Sequence, residues 1–121
     1  MPANADLAAF IGDNFRSVWA LEILLFLKND PSTAWRRESL VEALRASDLV
    51  VTKGLDTLQA EGLIVLENDG SARYSPASAD LRQLVDQTEA LYAKKPDAVR
   101  RMIVSSTGIS AFADSFRLGS E

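Results

Sequence analysis

Residues 47–76 read SDLVVTKGLDTLQAEGLIVLENDGSARYSP, and this stretch decides the fold. Within its first half, apolar side chains recur at three- and four-residue steps between Val51 and Leu58, which predicts an amphipathic helix. Ser47 and Asp48 can cap the start of this helix, because their side-chain oxygens can accept hydrogen bonds from free backbone N–H groups. Gly62 can close the helix, because glycine readily adopts the left-handed backbone conformation.

The second half predicts a β-hairpin. Asp69-Gly70 separates two short apolar runs, and this dipeptide suits a two-residue turn in which both residues have positive φ. Such a turn pairs Val65 with Tyr74, and it pairs Leu66 with Arg73. Because strand side chains alternate between the two faces, the first pair is assigned to the core and the second pair to the outer face.

The segments on either side of this stretch are mostly helical in pattern. A helical pattern runs from Asp6 to Lys28 with a bend at Gly12, and its second part, from Ser17 onward, is apolar nearly all round. A short extended piece is predicted over residues 34–36. Further helices are predicted over residues 37–46, 78–93 and 97–105, followed by a last amphipathic turn or two over residues 109–116.

This order of elements, with two helices joined by a short turn ahead of a two-stranded hairpin, is that of a winged helix-turn-helix. Residues 39–64, above all the run Leu55-x-x-Leu58-x-x-x-Gly62-Leu63-Ile64, resemble the MarR- and PadR-like regulators of bacteria. The resemblance covers roughly residues 17–76. It implies a mainly helical α+β fold, with a winged-helix domain and its N-terminal helix over residues 1–76. A C-terminal helical extension for dimerisation or partner docking then occupies residues 77–121.

In regulators of this kind, the third helix of the domain enters the major groove and the wing touches the DNA backbone or the minor groove. Two arginines begin the preceding helix, where free backbone N–H groups help to hold an anion such as a DNA phosphate. The positions of the third helix that point outward are Val50, Thr52, Lys53, Asp56, Thr57 and Gln59. The candidate DNA-binding residues are Arg36, Arg37, Thr52, Lys53, Thr57 and Arg73.

The charge of residues 47–76 favours a protein partner over DNA. Between Ser47 and Pro76 there are two basic and five acidic residues, a net charge of −3, and the whole chain carries −4. Because phosphate neutralisation supplies most of the non-specific affinity for DNA, this balance favours an interaction module that binds another regulatory protein. The resemblance favours a small transcriptional regulator that binds double-stranded DNA as a homodimer, and this is the first hypothesis.

The C-terminal part indicates how two chains would associate. An amphipathic helix added to a three-helix winged domain needs another surface to cover it, and a second subunit is the usual one. The predicted dimerisation residues are Leu81, Leu84, Val85, Leu91, Phe112 and Phe116. The run FADSFRL, residues 112–118, also resembles the tail of small bacterial winged-helix proteins, a likeness that implies no activity.

Composition restricts the remaining functions. The 121 residues include no cysteine and no histidine, which excludes disulfides, thiolate zinc sites, Ser-His-Asp triads and histidine-bound metals. No nucleophile–base pair and no phosphate loop is visible, so we expect neither an enzyme nor a cofactor. The most apolar run, Val18 to Leu27, is too short to cross a bilayer and the start lacks a secretory signal. We therefore expect a cytoplasmic protein without a membrane partner.

Overall fold

A computed structural model of the chain describes residues 4–104. The elements in chain order are α1 (Asn4–Asn14), α2 (Val18–Lys28), α3 (Arg37–Leu44), α4 (Asp48–Ala60), β1 (Ile64–Leu66), β2 (Ala72–Tyr74), α5 (Ala79–Lys94) and α6 (96–104). The predicted fold class is confirmed, because helices dominate and β1 and β2 form a two-stranded antiparallel sheet in the winged-helix order. Between residues 4 and 104, no helix has the length and apolar character needed to cross a membrane.

The helix-turn-helix consists of α3 and α4. The helix α3 ends two residues earlier than predicted, because Arg45 adopts the left-handed conformation with φ 54°. Ser47 then caps α4, and its hydroxyl accepts a hydrogen bond of 3.1 Å from the backbone N–H of Val50. After α4 the chain turns at Gly62, whose φ of 77° confirms the predicted left-handed ending.

The helices α2 and α4 cross at close range through Gly54. A Cβ atom at Gly54 would lie 2.6 Å from Cδ1 of Ile23 and 3.7 Å from Cα of Ala20. All three residues are buried, so the missing side chain lets the two helices approach more closely than any larger residue would. This crossing fixes the orientation of α4 and therefore determines which of its faces is exposed.

The break between α1 and α2 does not fall where the sequence predicts it. Gly12 lies inside α1, and the helix ends at Asn14. Ser17 starts α2 as its cap, with its hydroxyl accepting a hydrogen bond of 3.2 Å from the backbone N–H of Ala20. The predicted bend at Gly12 is wrong because a serine cap and the fully buried Phe15 position the break, whereas a glycine inside a helix is tolerated.

The hairpin register differs from the prediction by one residue. The observed pairs are Ile64 with Tyr74, Val65 with Arg73 and Leu66 with Ala72. The loop has three residues, because Glu67 N–H donates to Ser71 O at 2.7 Å and Gly70 N–H donates to Glu67 O at 2.9 Å. Of the three loop residues only Gly70 has positive φ, and Asp69 instead accepts a hydrogen bond from Ser71 N–H. This is the three-residue hairpin loop with a glycine in the left-handed position.

The register decides which side chains of the wing face the core. Ile64 and Tyr74 are buried, whereas Val65 and Arg73 are half-buried on the other face. The prediction that Val65 faces the core together with Tyr74 is therefore wrong. The prediction that Arg73 lies on the outer face is confirmed, although its strand neighbour is Val65 rather than Leu66.

The helices α1, α5 and α6 complete the core of the same chain. Buried side chains outside the winged helix include Phe10, Ile11, Phe15, Val85, Val99 and Ile103, and all of them belong to one cluster with α2 and α4. At the end of α2, Lys28 Nζ lies 2.7 Å from Glu89 Oε1 and 3.2 Å from Asp86 Oδ1 of α5. These two carboxylates raise the pKa of Lys28 against the opposing effect of its burial, and the hydrogen bond that Lys28 donates to Glu89 contributes most.

The apolar stripe of α5 is therefore partly covered by its own chain. Val85 is fully buried, so the prediction that it forms a subunit contact is wrong. Leu81, Leu84 and Leu91 are half-buried and pack against the same core. Part of the covering surface comes from α1, and a subunit contact through the three half-buried leucines stays a prediction. The predicted dimer residues Phe112 and Phe116 lie outside the described residues.

Tyr74 carries a buried hydroxyl that gives a stability prediction. The residue is 4% exposed, and its hydroxyl has no hydrogen-bond partner within residues 4–104. Tyr74→Phe removes this hydroxyl and keeps the ring, so we expect the free energy of unfolding to rise by about 1 kcal/mol at neutral pH. Urea denaturation followed by circular dichroism measures the change.

The pH dependence of the same variant provides a second readout. Burial, with a smaller effect from Asp86, raises the pKa of Tyr74 above its ordinary value of 10.0. The folded chain thus holds this proton more tightly than the unfolded chain, and stability falls as pH rises beyond the ordinary value. As pH rises above about 10, Tyr74→Phe should therefore lose less stability than the parent chain. Tyr92→Phe is the matched control and should destabilise, because the Tyr92 hydroxyl donates to the carboxylate of Glu22.

Candidate nucleic-acid interface

The exposed side of α4 is a ridge of four residues. Leu49, Lys53, Asp56 and Ala60 follow one another at three- and four-residue steps, and all four are exposed. They lie opposite the buried residues Val51, Gly54, Leu55 and Leu58, which face α2 and the wing. The ridge therefore results from the crossing of α2 and α4, and it is the surface that α4 presents to a partner.

The predicted base-contacting residues lie on or beside this ridge. Lys53 is exposed, and no carboxylate lies within 4 Å of it in the described part of the chain. Thr52 and Thr57 are half-buried on the two flanks of the ridge. Of the other positions predicted to point outward, Asp56 and Gln59 are exposed and Val50 is half-buried. No residue predicted to face outward is buried in the core.

A second part of the surface joins the start of α3 to the tip of the wing. Backbone hydrogen bonds of 2.8 Å connect Trp35 and Ala72 in both directions, which confirms the extended piece predicted there. This bridge brings the start of α3 beside the hairpin loop. The resulting cleft of about 420 Å³ is lined by Arg36, Arg37, Glu38, Ser39, Asp69 and Gly70.

Carboxylates neutralise two of the three predicted arginines. Arg37 Nε lies 3.1 Å from Asp48 Oδ1, and Arg73 Nε lies 3.0 Å from Glu67 Oε2. Arg36 has no carboxylate within 4 Å among residues 4–104, although its charge helps to lower the pKa of Asp69. The main cause of that lowered pKa is the hydrogen bond from the backbone N–H of Ser71. Arg36 is thus the predicted arginine that is most available to an anion.

Arg16 is a basic residue of this surface that the sequence did not indicate. It lies in the short break between α1 and α2, and together with Ser17 it lines a cleft of about 540 Å³ against α4. The α4 side of this cleft includes Lys53, Thr57 and Glu61. Nothing in the sequence pattern marks Arg16, because its approach to α4 depends on the crossing at Gly54.

A bound metal ion needs several ligand side chains close together. No group of three or more acidic side chains that could hold a metal ion occurs between residues 4 and 104. The clefts beside α4 are lined by a mixture of basic, acidic and hydroxyl side chains. Such a surface can form ion pairs and hydrogen bonds with a large partner.

Comparisons with protein-family models, with curated proteins and with solved structures found no match for this chain.

Proposed function

We propose that this chain is a transcriptional regulator that binds double-stranded DNA, with α4 in the major groove and with the start of α3 and the wing tip on the backbone. The observation that carries the proposal is the placement of Thr52, Lys53 and Thr57. Lys53 is exposed, and Thr52 and Thr57 are half-buried on either side of it, so all three keep accessible surface on the solvent side of α4. A helix with one face open to solvent fits the width of the major groove.

The side chains of the ridge suit groove contacts. Lys53 can donate to a guanine edge or a phosphate, and Thr52 and Thr57 can donate to or accept from base edges. Ala60 is small and permits close approach, while Leu49 offers an apolar surface of the kind that contacts thymine methyl groups. Arg36 and Arg37 lie beside the groove-facing helix, where they can meet phosphates.

The ion pairs of Arg37 and Arg73 lower the expected affinity for DNA, and counterion release from the phosphates makes the binding depend on salt. Arg37 must exchange Asp48 for a phosphate, and Arg73 must exchange Glu67, so part of the electrostatic gain from DNA offsets a loss within the protein. We therefore expect binding that is measurable at low salt and weakens steeply as salt rises.

The test is a salt titration of binding to labelled genomic duplex DNA, followed by fluorescence anisotropy. In Arg36→Ala/Arg37→Ala, the slope of log affinity against log salt should become shallower by about 0.9 to 1.8, since each lost phosphate contact contributes about 0.9 and the release of Asp48 offsets part of the contribution of Arg37. The matched control, Lys94→Ala/Lys95→Ala, removes two exposed positive charges at the end of α5 and should leave the slope unchanged. Absence of binding by the parent chain at low salt would refute DNA binding.

A specific observation supports the second candidate, a module that binds another regulatory protein. Leu49 is 62% exposed at the start of α4, and Asp56 lies on the same ridge. Leu49 offers a protein partner an apolar contact and Asp56 offers it a carboxylate, whereas the net charge of −3 for residues 47–76 repels DNA. This candidate becomes the favoured one if the parent chain shows no association with duplex DNA.

Homodimerisation stays a prediction. The α5 stripe supports it only through its three half-buried leucines, since Val85 packs within its own chain. Among the described residues, the exposed apolar side chains near α5 and α6 are Val104, which is 63% exposed, and Trp19, which is 39% exposed.

A further inference from the structure

A cleft of about 350 Å³ lies away from α4, between α2, the end of α3, and the helices α5 and α6. It is lined by Val18, Trp19, Glu22, Leu44, Tyr92 and Arg100. Trp19 is 39% exposed in this cleft, whereas most other aromatic side chains of the described part are buried or half-buried in the core. An exposed indole flanked by Val18 and Leu44 forms an apolar surface that lacks a covering group.

The polar side of the cleft is held in place by its own contacts. The Tyr92 hydroxyl donates to the carboxylate of Glu22, and the Arg100 guanidinium lies 5.5 Å from the centre of the Tyr92 ring. Arg100 also contacts Asp97 at 3.1 Å. One carboxylate and one guanidinium therefore stand at fixed positions beside the open apolar surface of Trp19.

We propose that the chain's own C-terminal segment, residues 109–118, docks in this cleft and covers Trp19. The segment carries the apolar residues Ile109, Phe112 and Phe116 together with one acid, Asp114, and one base, Arg117. This composition matches a cleft that has an apolar surface, one base and one acid. The occupant is thus identified by apolar character and by complementary charge.

The connection is short enough to reach the cleft. Arg100 lines the cleft from α6, and Val104 lies one helical turn further along the same helix. Four residues, Ser-Ser-Thr-Gly at 105–108, connect Val104 to the segment. They are of types that favour turns, and they can span up to about 14 Å. A segment tethered this closely has a high effective concentration at the cleft, so a second copy competes poorly with it.

The docking gives Phe112 and Phe116 a place within one chain, in contrast to the subunit contact predicted from the sequence. It does not depend on DNA binding, because no residue of α4 lines this cleft. The two proposals can therefore fail separately.

The fluorescence of Trp19 tests the docking. The chain has two tryptophans, so Trp35→Phe in the full-length protein leaves Trp19 as the only one. In this background, Phe112→Ala/Phe116→Ala should shift the emission of Trp19 to longer wavelength. It should also raise the acrylamide quenching constant by about twofold or more, because a covered indole becomes exposed. Leu49→Ala, a matched loss of an apolar side chain on α4, should change neither quantity.

A labelling experiment gives an independent readout without truncating an aromatic side chain. The chain has no cysteine, so Ala113→Cys in the Trp35→Phe background accepts a single nitroxide label, which quenches tryptophan on contact. We expect strong quenching of Trp19 that does not change on dilution, whereas a label at Ala60→Cys on α4 should not quench. Equal emission from both labelled proteins overturns the proposal. Quenching that disappears on dilution also overturns it, because it would assign the segment to a second copy.

Discussion

Gly54→Val is expected to lower the free energy of unfolding by about 2–3 kcal/mol, the upper part of the range for overpacking in a close-packed core. A Cβ atom at this position already lies 2.6 Å from Cδ1 of Ile23, well inside van der Waals contact. Ile23 is fully buried and cannot swing into solvent, and Cα of Ala20 at 3.7 Å leaves little space for the two γ-methyl groups. Urea denaturation with an unchanged m-value measures the loss.

Two further variants separate the close crossing from other effects of adding a side chain. Ala60→Val lies on the exposed ridge of α4 and measures only the lower helix propensity of valine, so it should cost a few tenths of a kcal/mol. Gly54→Ala combined with Ile23→Val removes the atom that stands in the way. The double variant should lose about 1 kcal/mol less in free energy of unfolding than the sum of the losses in the two single variants. Full stability of Gly54→Val would show that α2 and α4 are further apart than described.

The elements that could be predicted from sequence are those fixed by local chemistry. Ser47 caps α4 as predicted and Ser78 caps α5 at the predicted start of that helix, each hydroxyl accepting a hydrogen bond of 3.1 Å from a backbone N–H three residues later. Gly62 turns the chain after α4 for an equally local reason, because its φ is positive. A cap or a left-handed residue acts within one turn, so a short sequence carries the whole signal.

The hairpin register could not be read from its turn residues alone. Asp69-Gly70 suits two loops, one of two residues with both φ values positive and one of three residues with only the glycine positive. The choice depends on which strand residues pack best. Ile64 and Tyr74 are both buried in the observed register, whereas the predicted register would have paired Tyr74 with Val65. The larger aliphatic side chain lies inside.

Tertiary contacts explain the two remaining differences. The stripe of α5 looks the same in sequence whether it meets a subunit or its own domain, and only the position of α1 beside it shows that Val85 packs within its own chain. The contact between Arg37 and Asp48 likewise joins two helices across a turn. Helix periodicity placed Lys53 correctly, but it contains no information about which distant carboxylates neutralise the other basic residues.

Lys53→Glu is expected to weaken binding to duplex DNA by about 100-fold at low salt, through the loss of a contact of about 1–3 kcal/mol and new repulsion from phosphates. Lys53 is exposed at the middle of the α4 ridge and has no carboxylate within 4 Å in the described residues, so its charge is available to DNA. Its replacement removes no packing contact of the core. Fluorescence anisotropy with the same genomic duplex measures the affinity, and urea denaturation should show unchanged stability.

The control must change the net charge by the same amount at another place. Lys95→Glu does so at an exposed position between α5 and α6, and it should weaken binding by less than about threefold because it acts only through the distant field of the protein. Asp56→Asn on the α4 ridge should strengthen binding, since it removes a negative charge one turn from Lys53. Equal losses in the two lysine variants would mean that DNA responds to net charge alone. A groove contact by α4 predicts weaker DNA binding in Lys53→Glu, stronger binding in Asp56→Asn and little change in Lys95→Glu.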